Sequence, residues 1–194
     1  ELAEADRYDL ITSNIPFGDF MVYDRTYSKG KDSIKREATR TIHNYFFIKG
    51  LDSLREGGVL AFITSQGLLD SPYNEIFRRY LMEQSRLISA IRLPSGMFSE
   101  HAGTEVGSDL IVLQKQTGKG ITPGEEERFV RTAAVPSGDG FSIAFTHNSL
   151  LEGSWDEVRS HTIATERTMG TNPYGKAAWV YQFDGGIDEM ADSL

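Results

Sequence analysis

The residues Asn14, Ile15, Pro16, Phe17 and Gly18 combine groups that could hold a flat base carrying an exocyclic amine. An amide oxygen and the following backbone carbonyl can each accept a hydrogen from such an amine, and an aromatic ring can stack on the base. Pro16 has a fixed φ angle and favours an extended Ile15, so the turn should be stiff. The alternative interpretation is a strand followed by an ordinary proline turn, because four residues recur by chance.

A buried strand should position this turn. The apolar stretch Leu10–Thr12 directly precedes it, which places Asn14 and Phe17 at the carboxyl end of a strand, where open α/β sheets bind ligands. Further along, apolar periodicity predicts a helix from Ser33 to Gly57-Gly58 and another from Tyr73 to Gln84, with Ile76, Phe77, Tyr80 and Leu81 facing inward. Apolar runs predict three more strands, at Val59–Thr64, Leu87–Leu93 and Asp109–Lys115.

The order of these elements predicts an α/β fold whose strands are mostly parallel. The last two strands lack a helix between them, so we expect the final strand to be antiparallel to the others. A Gly/Pro/Glu-rich stretch divides residues 1–117 from a linker and appendage at 118–194. Beyond it we predict short strands at Phe129–Val135 and Ser142–Phe145, a short helix at Trp155–Arg159, and loops in the remaining tail.

Composition excludes several kinds of protein. The 194 residues are 39% hydrophobic and 25% charged and contain no run long enough to span a membrane, so we expect a globular, cytoplasmic protein. The absence of cysteine excludes disulfides and thiolate chemistry. The four histidines lack ligand spacing, so we predict no metal site. The net charge of -8 means that any contact with nucleic acid must use a local patch.

Several segments together resemble one family, the N6-adenine DNA methyltransferases of the type I modification-subunit kind. Large methylase and helicase proteins of mobile elements are similar in their methylase portion. The resemblance rests on Asn14-Ile15-Pro16-Phe17, on Leu54-Arg55-Glu56-Gly57-Gly58, on Thr64-Ser65-Gln66-Gly67-Leu68-Leu69, on Ile91-Arg92-Leu93-Pro94-Ser95-Gly96-Met97-Phe98 and on Gly103-Thr104-Glu105-Val106-Gly107-Ser108-Asp109-Leu110-Ile111-Val112-Leu113. Ile15 departs from the family, which has a first proline there, and this makes the turn less stiff.

The resemblance implies the second half of a doubly wound, Rossmann-like methyltransferase sheet, followed by a small irregular carboxyl-terminal region. It implies transfer of a methyl group from S-adenosylmethionine to the exocyclic amine of an adenine flipped out of double-stranded DNA. Asn14, Ile15, Pro16 and Phe17 would be the catalytic residues, and Asn14 would also touch the cofactor. Phe17, Gly18 and Phe98 would bind the base, although core packing is an alternative for Phe98.

Basic residues follow the turn and could contact phosphates beside the flipped base. The alternative is a solvated loop and helix face. The resemblance also implies a specificity or restriction subunit as a partner. The predicted phosphate contacts are Lys29, Lys31, Lys35 and Arg36.

The family binds its cofactor on a Gly-rich turn after the first strand, and nothing before residue 8 can supply that turn. We therefore expect a piece of a longer protein, inactive by itself, whose first strand has an uncovered edge. Such an edge should either pair with a second copy or be covered by residues 129–194. Two other functions remain open: a binding module for DNA or a partner that retains the fold without chemistry, and a methyltransferase that acts on protein glutamine or RNA.

Overall fold

A mixed sheet and two small hairpins form the framework of this computed structural model, which describes residues 7–18, 20–97, 107–172 and 175–193, without the Ile187 side chain. Phe98 lies outside the described residues. The strands are β1 (Tyr8–Asn14), β2 (Leu54–Ser65), β3 (Ser85–Arg92), β4 (Ser108–Lys115), β5 (Thr132–Pro136), β6 (Ile143–Asn148), β7 (Glu166–Thr171) and β8 (Ala177–Gln182). The α-helices are α1 (Arg25–Ser28), α2 (Ser33–Ala38), α3 (Ile42–Ser53), α4 (Gly67–Asp70), α5 (Glu75–Gln84), α6 (Glu125–Val130), α7 (Trp155–Val158) and α8 (Ile187–Asp192).

The strand order of the main sheet is β1-β2-β4-β3. β1 and β2 are parallel, and β4 is antiparallel to both of its neighbours, so β1, β2 and β3 share one direction. This confirms the predicted α/β fold class and the antiparallel last strand. The position of β4 between β2 and β3 was not predicted, because periodicity gives the identity of a strand but not its neighbours.

One face of this sheet holds the main core. Leu60, Leu113 and Leu87 lie side by side across β2, β4 and β3, and all three are buried. α3 packs on this face, where the rings of Phe47 and Phe62 meet edge to face with centroids 5.2 Å apart. Gly50 permits this close approach, because a Cβ there would lie 3.0 Å from the Phe62 ring.

The long predicted helix is two helices. α2 begins at Asp32, whose carboxylate accepts hydrogen bonds from the backbone N–H groups of Ile34 and Lys35, and the chain turns before α3. The break falls on Thr39-Arg40-Thr41, where β-branched residues disfavour a continuous helix. The predicted end at Gly57-Gly58 was wrong: α3 ends at Ser53, and Gly57, with φ of 77°, lies within β2.

The buried stripe of α5 also differs from the prediction. Ile76 is 70% exposed, whereas Arg78 is fully buried. Arg78 donates hydrogen bonds to the backbone carbonyls of Leu68, Ser71 and Val130 at 2.9 Å each. These hydrogen bonds explain why a charged side chain takes a buried position on α5, because Arg78 joins α5 to α4 and α6. Hydrophobic periodicity does not predict such a buried arginine.

Residues 125–182 form two hairpins and several short helices. Phe129 and Val130 were predicted in a strand but belong to α6, and both lie in the main core. The tail predicted as loops contains the β7–β8 hairpin, in which Tyr181 packs with Leu151 and other apolar residues. The sequence of β7, Glu-Arg-Thr-Met-Gly-Thr, shows no clear apolar alternation, so this strand forms through pairing with β8.

The outer edge of β1 is uncovered within the described part of the chain. β1 pairs with β2, Leu10 is 59% exposed, and a groove of about 580 Å³ runs along β1 beside α3. Residues 129–172 and 175–193 form their own hairpins and do not pair with β1, so the expected covering by this segment is wrong.

Candidate base-binding site

The backbone and the side chain of Ile15 anchor the turn that follows β1. Asn14 lies opposite Ile63 of β2, and the Ile15 backbone N–H extends the pairing with a 2.9 Å hydrogen bond to the Ile63 carbonyl. The Ile15 side chain is fully buried, while Asn14 and Pro16 are exposed. The family motif has a stiff proline ring at the position of Ile15. In this chain, the packing of the aliphatic Ile15 side chain fixes the turn instead.

Phe17 is half-buried and lies against His43 of α3. The two ring centroids are 6.3 Å apart and the rings are tilted by 40°. His43 Nδ1 lies 2.8 Å from the Thr64 hydroxyl of β2, in a buried hydrogen bond. Burial lowers the pKa of His43, so its ring is neutral at pH 7. Phe17 thus has a neutral, fixed support that keeps its ring in place.

The Asn14 carboxamide is available for a ligand. Within residues 7–18, 20–97, 107–172 and 175–193, nothing hydrogen-bonds to this side chain. An exposed carboxamide offers one acceptor and two donors, and the neighbouring Phe17 offers a partly exposed ring. The predicted base-holding groups therefore come from one short turn at the carboxyl end of a strand. Gly18 is exposed in the same turn, and a Cβ there would overlap the Phe20 ring.

A buried ion pair joins β3 to β4 at the same edge of the sheet. Arg92, the last residue of β3, donates from Nε to Asp109 at 2.5 Å and from Nη2 to Asp70 at 2.9 Å. Burial by itself would lower the pKa of Arg92, but Asp109 and Asp70 outweigh it and raise that pKa above its ordinary value. Burial raises the pKa of Asp109 to about 6, although Arg92 opposes this rise. The pair fixes the carboxyl end of β3.

The predicted phosphate-contacting residues separate into two groups. Lys29 and Lys31 are exposed and could reach a phosphate. Lys35 pairs with Asp52, with Nζ 2.6 Å from Oδ2, and Arg36 donates to the carbonyls of Gly30 and Lys31. Lys35 thus joins α2 to α3, and Arg36 holds the loop between α1 and α2.

The glycine-rich turn that the resemblance implies for S-adenosylmethionine does not occur after β1 or β2 among the described residues. The described residues that follow the two strands are Asn14–Gly18 at the end of β1 and Ser65–Gly67 at the end of β2. Neither segment is a glycine-rich turn that opens a long helix. The contact between Asn14 and the cofactor, which the resemblance implies, stays a prediction. In the described ranges, no three His, Asp or Glu side chains gather as metal ligands would, and no helix is long and apolar enough to cross a membrane.

Sequence reasoning left out the residues that support the site. His43, Thr64 and Arg92 contact the turn or the strand ends, but none carries a pattern of its own. A signal existed for two of them, since Thr64 and Arg92 belong to segments of the resemblance that begin at the carboxyl ends of β2 and β3. His43 lies on a helix, and only the tertiary structure brings it under Phe17.

Comparison with known proteins shows the family of this chain. Residues 1–98 match the model of the Eco57I restriction-modification methylase family, which covers half of the chain and includes the Asn14–Phe17 turn. The chain belongs to this family. The resemblance to restriction-modification methylases is thereby confirmed. This Eco57I-family chain is also 26% identical over 110 residues to the defense against restriction protein B of Escherichia phage P1, covering 57% of this chain and 5% of that protein.

Solved structures of related proteins are longer than this Eco57I-family chain. A modification subunit of a putative type I restriction enzyme from Vibrio vulnificus YJ016 is 15% identical, with 93% of this chain and 38% of that one covered and a TM-score of 0.48. The EcoKI M protein of a type I restriction enzyme is 23% identical, with 58% and 22% covered and a TM-score of 0.46. A putative class I S-adenosylmethionine-dependent methyltransferase from Listeria monocytogenes is 18% identical, with 64% and 36% covered and a TM-score of 0.48.

Proposed function

We propose that this chain is the base-binding half of an S-adenosylmethionine-dependent DNA methyltransferase that modifies the exocyclic N6 amine of a flipped adenine. The observation that carries the proposal is the turn itself: an exposed Asn14 carboxamide beside Phe17, at the carboxyl end of β1, in a member of a restriction-modification methylase family. The methyl group would come from S-adenosylmethionine, and the glycine-rich turn that the resemblance implies for this cofactor does not occur after β1 or β2 among the described residues, so we expect the isolated chain to be inactive.

The turn would orient the acceptor nitrogen. The lone pair of the N6 amine is delocalised into the adenine ring, which makes the amine a poor nucleophile. Hydrogen bonds from the amine to Asn14 Oδ1 and to the Ile15 carbonyl favour a more tetrahedral nitrogen, with its lone pair directed away from the ring plane. Phe17, supported by His43, stacks on the extruded base and holds it in line. The proton needs no strong general base, because it becomes acidic after methyl transfer.

Contact with DNA would use a local basic surface, since the chain carries a net charge of -8. Lys29 and Lys31 are exposed near the turn in sequence and fit this role. A second candidate function is a non-catalytic module that binds DNA, and the lack of a glycine-rich turn after β1 or β2 among the described residues favours it. The two candidates differ in whether the protein makes a methylated base.

The test measures base modification by the full-length protein. DNA free of N6-methyladenine is incubated with the protein and S-adenosylmethionine. The DNA is then digested to nucleosides, which are identified by mass spectrometry. We expect N6-methyladenine, with a rate that falls roughly 10²–10³-fold in Asn14→Ala, the scale for one positioned hydrogen-bonding group at a reacting centre. Thr12→Ala, an exposed change in the same strand, should leave the rate unchanged.

Phe17 gives an independent check on base capture. Phe17→Ala should weaken binding of a flipped base by roughly 1–3 kcal/mol, the scale of base–aromatic stacking, and Phe17→Tyr should retain most of it. An Asn14→Ala protein with full activity would show that the turn does not hold the base. Methylated cytosine as the product would overturn the adenine assignment, and binding without any product would favour the non-catalytic module.

A further inference from the structure

A cavity of about 220 Å³ lies between the main sheet and the β7–β8 hairpin. Gln66, Ser95 and Gly107 line it from the sheet side, and Asn172 and Trp179 line it from the hairpin side. Its volume is below the roughly 300–1,000 Å³ of sites for drug-sized ligands, and suits one ring system. The family model ends at residue 98, so the hairpin side of this cavity has no assigned role.

This cavity shares an edge of the sheet with the base-binding turn. Asn14 pairs with Ile63 of β2, and Gln66 follows Ile63 by three residues along the same strand end. The carboxyl ends of β1, β2 and β3 therefore all face this edge, where ligands of open α/β sheets bind. A ligand in the cavity would lie beside a base held at Asn14 and not on a remote surface.

The hairpin is firmly attached at this position. The Ser95 backbone N–H donates to the Tyr181 carbonyl at 2.7 Å, and the Tyr181 N–H donates to Ser95 Oγ at 3.1 Å. The Thr162 hydroxyl donates to the Arg92 carbonyl at 2.7 Å, and the Arg92 guanidinium lies 5.4 Å from the centre of the Tyr181 ring. Two walls of the cavity are thus held at a fixed separation, which reduces the cost of ordering them around a ligand.

The groups that line the cavity favour a neutral ligand. Two carboxamides, two hydroxyls and an indole ring carry no charge. Arg92 lines an adjoining cavity of about 90 Å³ and is paired with both Asp109 and Asp70. The Arg167 guanidinium lies over the Trp179 ring, 4.4 Å from its centre, and donates to the carbonyls of Leu151 and Gly153. No charged side chain is among the described residues that line the cavity itself, so a planar heterocycle, which would find hydrogen-bonding amides and an aromatic ring, fits it better than a phosphate.

Gln66 is the side chain best placed to recognise such a ring. Its backbone N–H donates to the Gly107 carbonyl at 2.8 Å, and a Cβ at Gly107 would overlap the Gln66 Oε1 atom. Glycine at position 107 therefore allows the carboxamide to occupy this place. No hydrogen bond to the Gln66 carboxamide occurs within the described ranges, so its donors and acceptor are free for a ligand. A glutamine can pair with two adjacent groups on the edge of adenine.

We infer that this cavity is a second nucleobase subsite, in which Gln66 hydrogen-bonds to the base of a nucleotide next to the target and Trp179 contacts its ring. The inference rests on the proposed function, because it takes the nucleic acid bound at Asn14 as the source of the base. It gives the β7–β8 hairpin a role as one wall of the substrate site.

The fluorescence of Trp179 allows a direct test in the 194-residue chain, since Trp155 is the only other tryptophan in the sequence. In a Trp155→Phe background, a short oligodeoxyadenylate should quench the Trp179 emission as it binds. An abasic oligomer with the same number of phosphates should leave that emission unchanged. Gln66→Leu and Gln66→Glu should each weaken oligodeoxyadenylate binding roughly tenfold, the effect of losing one good base contact. Gln116→Leu, at an exposed position, should have no effect.

The outcomes separate this inference from the proposed function. Equal quenching by the abasic oligomer would mean a sugar–phosphate site and would overturn the nucleobase assignment. Binding that depends on Asn14 but leaves the Trp179 emission and the Gln66 variants unchanged would overturn the inference alone. Binding that depends on Gln66 but not on Asn14 would overturn the proposed function and retain the subsite. No binding to any oligomer would overturn both.

Discussion

Replacing Arg92 with methionine should be among the most damaging single changes in the main sheet. The Arg92 side chain is 3% exposed and that of Asp109 is fully buried. Arg92→Met removes the hydrogen bonds to Asp109 and Asp70 and leaves the Asp109 carboxylate in a dry environment. Breaking one side of a buried ion pair commonly costs about 3–5 kcal/mol, because the remaining charge is uncompensated. This is a large share of the roughly 5–15 kcal/mol that stabilises an ordinary domain.

Urea unfolding at pH 7 measures this cost, and two further variants show where it comes from. Arg79→Met removes an exposed pair with Glu75, at 3.6 Å, and should cost less than about 1 kcal/mol. Arg92→Met combined with Asp109→Leu should recover much of the loss, since no buried charge is left at position 109.

The loss should also depend on pH with a definite sign. Burial raises the pKa of Asp109 to about 6 even with Arg92 present, and removing Arg92 raises that pKa further. Lowering the pH from 7 towards 5 protonates the buried carboxyl and relieves its penalty, so the deficit of Arg92→Met should shrink. If Arg92→Met cost no more than Arg79→Met at pH 7, the pair would not be desolvated in solution and the reasoning would be wrong.

The other predictions concern stability, association and the cofactor. Burial lowers the pKa of His43, so below pH 6.5 the unfolded chain binds more protons than the folded chain. The free energy of unfolding should therefore fall as the pH drops. In urea titrations, His43→Gln should reduce the slope of that free energy against pH by up to about 1.4 kcal/mol per pH unit. Arg78→Met leaves three backbone carbonyls without their buried donor and should cost about 3 kcal/mol or more in the same assay, unlike Arg79→Met. The chain should self-associate through the exposed edge of β1, as measured by light scattering. Leu10→Lys should make the chain monomeric, and a monomeric wild-type chain would refute this prediction. Calorimetry should show weak or no binding of S-adenosylmethionine to the 194-residue chain, and micromolar affinity would show that a site has been overlooked.

The sequence by itself determined the four strands of the main sheet, the shared direction of β1, β2 and β3, and the position of the candidate base-binding turn. Continuous apolar runs mark buried strands wherever they lie, and the lack of a crossover helix between β3 and β4 indicated the antiparallel return. Asn14, Pro16 and Phe17 could be recognised because their chemistry depends on local spacing within one turn.

The tertiary structure alone decided which side chains support that turn and what residues 125–182 do. Arg78 and Arg92 are buried because backbone carbonyls and carboxylates from other segments accept hydrogen bonds from them, and hydrophobic periodicity places such residues at the surface. His43 reaches Phe17 through the packing of α3 on the sheet. Likewise, Gln66 and Trp179 are far apart in the chain, and only the docking of the β7–β8 hairpin at Ser95 brings them to the same cavity.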